Sequence, residues 1–157
     1  MIESLSNKLR GKVMILGVGN PLRGDDGAGP YLINQLEGQV DAILLDCGEV
    51  PENFLGKIAE NQPDTIIIID AIDLGISPGA VAILEENNLR DTSWSTHHAP
   101  LKLFIDYVKT ELGDNVLILG IQPKSTGFGS KISDEVRETI HLLREAIPRA
   151  LAQRRTL

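Results

Sequence analysis

The chain is short of several things, and each shortage closes a class of function. It has one cysteine in 157 residues, Cys47, so no internal disulfide can form, and a reducing cytoplasmic setting is expected. Cations are outnumbered, 15 Lys and Arg against 22 Asp and Glu, for a formal net charge of −7. That balance argues against nucleic acid and anionic membrane as partners. No apolar run approaches the roughly 20 residues needed to span a bilayer. The first ten residues are polar, without the apolar core of a secretory leader. Repeats, linkers and low-complexity stretches are missing too, so the expectation is one domain over residues 1–157, with 1–10 and 150–157 as frayed tails.

Familiar catalytic and phosphate-binding signatures also fail. Gly17 and Gly19 start a G-x-G, but the third dinucleotide glycine would fall on Leu22. Gly19 and Gly24 have P-loop spacing, yet Lys and Ser or Thr are replaced by Asp25 and Asp26, whose charges would repel a phosphate. No serine sits in a G-x-S-x-G elbow, and no D-T-G motif marks a paired-Asp protease. Asp70-Ala71-Ile72-Asp73 has the wrong spacing for an aspartyl-phosphate D-x-D site.

What is present is an alternation of strands and helices. Lys12–Val18 reads as a buried strand, followed by the glycine- and aspartate-rich stretch Gly17–Pro30 and a helix from about Pro30 to Glu37. Ala42–Asp46 is a second strand, ending at Cys47-Gly48, and Pro51–Gln62 a helix opened by Pro-Glu. In Thr65–Asp70, four successive isoleucines without alternation predict a central strand covered on both faces. Ala80–Glu85 is a short edge strand; Glu86–Ser95 is polar and irregular. Leu101–Leu112 is a helix with Leu101, Phe104, Ile105, Val108 and Leu112 on one face, and Val116–Ile121 a further strand. Ser133 caps a last helix with the stripe Val136, Ile140, Leu143 and Ile147, which Pro148 should kink or end. The expected fold is α/β, a three-layer α/β/α domain with a twisted, mostly parallel sheet of about five strands and helices on both faces. With right-handed crossovers, the strand ends at Gly17, Asp46, Asp70 and Ile121 share one edge, where chemistry is expected.

That edge collects Asp26 in the first loop, Asp70 at the end of the isoleucine strand, and His97 before a helix. Two carboxylates and an imidazole make a three-ligand metal site with open positions, suited to Ni, Zn, Mn or Fe. Plainer roles stand beside it. Asp25 or Asp26 can cap the following helix, Asp70 can accept backbone N–H groups at a strand end, and His97 or His98 can bond locally. Asp73 competes with Asp70. Cys47 reads as a core thiol, with a soft metal ligand as the alternative.

Taken in order, the motifs resemble those of the hydrogenase maturation proteases. Gly17-Val18-Gly19-Asn20-Pro21 with Asp25-Asp26-Gly27-Ala28-Gly29 is similar to the family's opening signature. It is followed by Asp46-Cys47-Gly48 with Pro51-Glu52-Asn53, and by Asp70-Ala71-Ile72-Asp73-Leu74-Gly75 with Pro78-Gly79. Thr96-His97 with Pro100-Leu101, and Gly120-Ile121-Gln122-Pro123 with Gly127-Phe128, complete five ordered blocks between Lys12 and about Leu143. The resemblance implies an endopeptidase that removes the C-terminal extension of a [NiFe] hydrogenase large-subunit precursor once nickel is inserted, with the bound nickel as recognition mark. Carried over by motif, it implies nickel ligands at Asp26, Asp70 and His97, with Asp26 or Asp70 serving the attacking water. It also implies substrate contacts at Asn20, Gly48 and His98. Nickel would come with the substrate, and cadmium or zinc fit the same donors. Aspartate at position 26, with the Gly-Ile-Gln-Pro block, is similar to the formate-hydrogenlyase (hydrogenase 3) type or a related archaeal or energy-converting one. The family is often classed with aspartic peptidases. The implied partner is the nickel-loaded precursor, with no membrane insertion and a monomeric enzyme; a non-catalytic nickel-binding chaperone or assembly module is the alternative. Position 98 is His where the family pattern has Asn. Because Pro100 forces an extended approach, successive side chains there point to opposite sides, so one imidazole faces the cleft. His97 is expected to be that one.

Overall fold

The computed structural model describes residues 1–85, 99–113 and 115–155. Five strands form one sheet in the order β2-β1-β3-β5-β4. They are β1 (Val13–Val18), β2 (Ile43–Gly48), β3 (Thr65–Ala71), β4 (Val81–Leu84) and β5 (Asn115–Ile121). The first four in space are mutually parallel, and β4 runs antiparallel along β5 at the edge. This is the mostly parallel α/β sheet expected from the sequence, edge strand included.

The isoleucines of β3 explain the layering. Ile66, Ile67, Ile68 and Ile69 are all fully buried because successive side chains point to opposite faces and both faces are covered. Ile67 and Ile69 join Ile15, Leu117 and Leu119 on the face packed by α1 (Ile2–Ser6), α2 (Ala28–Leu36) and α5 (Asp134–Ala152). Ile66 and Ile68 join Met14, Leu16, Val116 and Ile118 on the other, under α3 (Leu55–Asn61) and α4 (Ala99–Tyr107). Burying each isoleucine contributes about 2 kcal/mol by area transfer.

Over their described residues, 1–10 and 150–155, both expected frayed tails are corrected. Residues 2–6 form helix α1, and Leu5 and Leu9 are fully buried in the α2–α5 core. At the other end α5 passes through Pro148 and continues to Ala152, with Ala150 and Leu151 buried. The two ends meet: Arg155 N–H donates to Leu9 O and Gly11 N–H to Arg155 O, each at 3.2 Å. Apolar docking outweighs fraying at both termini. Pro148 removes one helical hydrogen bond, but the buried Ala146, Ile147, Ala150 and Leu151 hold the last turns against the core.

The strand order places the site. The chain leaves β1 for β2 on one side, then crosses to β3 on the other. Loops after β1 and β3 therefore diverge at their carboxyl ends, the switch point at which open α/β sheets form their binding crevice. Gly29, in the first turn of α2, lets the helix sit directly on those ends. A side chain there would strike Ile69 O, and its Cβ would lie 2.7 Å from Val18 O.

Candidate active site

The loop after β1 is wound tightly. Residues Gly24–Gly27 form a 3-10 turn that runs straight into α2. Asn20 N–H donates to Asp26 Oδ2 at 2.9 Å, and Asp26 N–H donates to Arg23 O at 3.1 Å, so the loop closes back on the carboxylate it presents. Gly19 has φ 144°, and a Cβ there would collide with the Asp26 carbonyl. The Asn20 carboxamide Oδ1 accepts from Leu22 N–H at 2.9 Å, shaping the same turn.

Asp70 faces this loop from the end of β3, in register with Gly120 of β5. It is 5% exposed and Asp26 is 6% exposed. Burial, with the negative charge of Asp26 second, pushes the Asp70 carboxyl well above the usual carboxylate range; the Ala71 backbone N–H opposes this. Both predicted aspartates are thus buried on neighbouring segments, Asp70 at the end of β3 and Asp26 in the loop after β1, near enough for the charge of one to act on the other. Such a pair can hold a proton for acid–base chemistry or take a cation.

Neighbouring carboxylates have other work. Asp25 is fully buried and caps nothing on α2. Its Oδ2 accepts from Lys124 N–H at 2.8 Å, Ser125 N–H at 3.2 Å and Ser133 Oγ at 2.8 Å. Its Oδ1 accepts from Ser133 N–H at 2.7 Å. Ser133 also caps α5 as expected, through Val136 N–H at 3.3 Å. Asp25 thus staples the β1 loop to the loop between β5 and α5. Asp73 is exposed and turned aside: its Oδ1 accepts from Gly75 N–H and Gln122 Nε2, each at 3.2 Å. Gln122 is 7% exposed, and its Oε1 accepts from Leu74 N–H at 2.6 Å, bracing the loop after β3. The sequence carried no signal for these roles of Asp25 and Gln122, beyond their place in the ordered motifs.

At the end of β2, a bulge lets Gly17 pair with Asp46 and Val18 with Gly48, passing over Cys47. Gly48 O accepts from Gly19 N–H at 2.7 Å, and the space where its side chain would lie is open. Cys47 is buried, and burial, helped by Asp46, pushes its thiol up to about 12. Its burial among Met14, Leu16, Val18 and Leu45 makes it a core side chain in this structure. His97 and His98 lie outside the described residues. Among the described residues no group of three His, Cys, Asp or Glu side chains converges to hold a metal ion, so Asp26 and Asp70 form the described part of the predicted ligand set.

Known proteins resemble this chain over most of its length. The family profile HycI, hydrogenase maturation protease, matches residues 30–150. The hydrogenase 3 maturation protease of Escherichia coli K12 is 34% identical over 130 residues, covering 81% of this chain and 83% of that protein. The crystal structure of the [NiFe] hydrogenase maturation protease HycI from Thermococcus kodakarensis KOD1 superposes with a TM-score of 0.83 at 35% identity, covering 90% of this chain and 92% of that one. The solution structure of the endopeptidase HycI from Escherichia coli gives 0.77 at 31% identity, covering 86% and 88%. With its sheet order, its paired crevice aspartates and these likenesses together, the chain belongs to the hydrogenase maturation protease family.

Proposed function

We propose that this chain is an endopeptidase that removes the C-terminal extension of a [NiFe] hydrogenase large-subunit precursor after nickel insertion, and that it reads the nickel as the mark of a finished substrate. The observation that carries this reading is the buried Asp26–Asp70 pair at the switch-point crevice. Two like charges held out of water destabilise each other, and a divalent cation arriving with the substrate offsets both. The nickel is the substrate's cargo. Asp26, Asp70 and His97 are its proposed ligands here, and cadmium or zinc suit the same mixed oxygen and nitrogen donors. Asn20 and Gly48, on the loops flanking the crevice, and His98 are the proposed substrate contacts.

The chemistry asked of the pair is water attack on a peptide carbonyl carbon. A carboxylate takes the proton from the attacking water and returns it to the leaving amine nitrogen, while nearby positive charge stabilises the oxygen of the tetrahedral intermediate. No described helix is long and apolar enough to cross a membrane. The net charge of −7 disfavours nucleic acid as a partner, and a monomer working in the cytoplasm is the proposed setting.

The test supplies substoichiometric protein with nickel-loaded and nickel-free precursor. The expected result is repeated turnover of the loaded form alone, reduced about 100-fold or more in Asp26→Asn and Asp70→Asn by loss of the proton-transfer group. Equal cleavage of both forms, or of neither, refutes the reading. One-to-one nickel transfer without cleavage would favour the chaperone alternative.

A further inference from the structure

Nine large apolar side chains are exposed among the described residues, and four of them sit on loops at the carboxyl edge of the sheet: Leu22, Val50, Ile76 and Phe128. Single exposed apolar residues are ordinary. Leu22 and Phe128 are not single. Leu22 is 63% exposed on the loop after β1, and Phe128 is 74% exposed on the loop after β5. Gly129 N–H donates to Leu22 O at 2.8 Å, so these two segments, more than a hundred residues apart in sequence, are adjacent.

The adjacency is built. Asp25 N–H donates to Ser125 O at 2.9 Å, and the Asp25 carboxylate gathers Lys124, Ser125 and Ser133 from the second loop. Gly24, at φ 55°, brings its backbone so close that a Cβ would lie 2.7 Å from Ser125 O. Four hydrogen bonds to one buried carboxylate hold the two loops as a unit, and that unit carries Asp26 four residues beyond Leu22. The protein spends a fully buried charge on fixing a surface that then leaves a phenylalanine and a leucine in water.

We propose that Leu22 and Phe128 form a preorganised apolar ledge that grips an apolar side chain of the precursor polypeptide beside the bond to be cut. The inference rests on the endopeptidase reading above and adds a specificity determinant to it. A peptidase must hold its chain on at least one side of the cleaved bond, and the ledge shares its loop with Asp26. Two side chains cannot cover the roughly 800 Å² per partner of a stable dimer, but they match one bulky residue of an extended segment. Loops whose backbones are fixed in advance bind with a smaller ordering cost. The ledge therefore acts on affinity and KM, leaving the chemical step alone, and it contacts loaded and unloaded precursor alike.

The experiment measures binding of nickel-loaded and nickel-free precursor to the wild type, to Leu22→Ser/Phe128→Ser, and to Leu142→Ser as a control exposed on α5. Cleavage kinetics and thermal unfolding accompany it. The double variant is expected to weaken binding of both precursor forms by about tenfold or more, as hot-spot truncation does. It should raise KM with kcat within about twofold, and keep the wild-type unfolding midpoint. Leu142→Ser should match the wild type throughout. The ledge is overturned if the double variant binds as the wild type does, if Leu142→Ser weakens binding equally, or if the wild type does not bind precursor. Wild type that binds but does not cut sinks the endopeptidase reading alone, because the ledge is still read from the ratio of affinities.

Discussion

Removing the Asp25 carboxylate should cost more stability than any other single change in the site loops. In Asp25→Ala, the N–H groups of Lys124, Ser125 and Ser133 and the Ser133 hydroxyl lose their shared acceptor. Each hydrogen bond to a charged group contributes about 1.5–3 kcal/mol, but Lys124 and Ser125 are exposed enough for water to replace part of theirs. A net loss of about 4 kcal/mol is expected, a large share of the ~5–15 kcal/mol that holds such a domain together. Asp25→Asn separates charge from shape. Its one carbonyl oxygen can replace Oδ2, which takes three of the bonds, but its NH2 then faces Ser133 N–H, donor against donor. About 2 kcal/mol is expected for that variant. Urea unfolding at pH 7 measures both. A loss below about 1 kcal/mol in Asp25→Ala, or equal losses in the two variants, would refute the staple.

Asp70 gives a pH signature. Its folded-state pKa is raised above the unfolded 3.8 by burial and by Asp26, so the folded protein holds a proton that the unfolded chain has released. Stability of the metal-free protein should fall as pH rises above about 4 toward the folded value, and Asp70→Asn should flatten that slope in urea titrations across pH; an unchanged slope contradicts the assignment. Cys47, with its thiol pushed up to about 12, should resist a thiol reagent at pH 8 in the folded protein and react fully in denaturant. Prompt labelling of the native state would show an accessible thiolate and reopen its role as a soft ligand.

The parts of this architecture visible in the sequence are those written locally. Four isoleucines in a row declare a central strand, because no polar face interrupts them. Asp70 stands out because it continues the isoleucine strand and Asp26 because it lies in the loop after the first strand, and strand ends converge at a switch point. Asp25 looks identical to Asp26 on paper. What separates them is that the donors around Asp25 come from 99 to 108 residues away. The N-terminal helix escapes for a related reason. Five residues are too few to show a period, and Leu5 and Leu9 acquire meaning only when α5 lies beside them. Pro148 misleads because a local rule, proline against helix, is overridden by burial on both sides of it. Asp70 and Asp73 compete in the sequence; in the structure Asp70 is buried, while Asp73 is exposed and accepts from Gln122 Nε2 on the neighbouring strand end.

The same distinction bears on how a peptidase of this kind can discriminate. Two buried carboxylates repel each other, and that repulsion is relieved by a proton on Asp70 or by a cation brought into the crevice. Specificity is a difference of affinities, and relief of the repulsion by the bound nickel favours the loaded precursor over the metal-free one. The stapled loops supply the complementary requirement. Asp26 must be held in place while uncompensated, since a flexible loop would swing its carboxylate into water and lose the penalty. Asp25, Asn20 and Gly19 remove that freedom, through the loop-to-loop bonds, the Asn20 N–H on Asp26 Oδ2, and a backbone turn that admits no side chain. On the proposed reading, rigidity in the β1 loop is thus part of substrate recognition itself, which gives a physical reason for a fully buried aspartate to stand directly beside the one that faces the crevice.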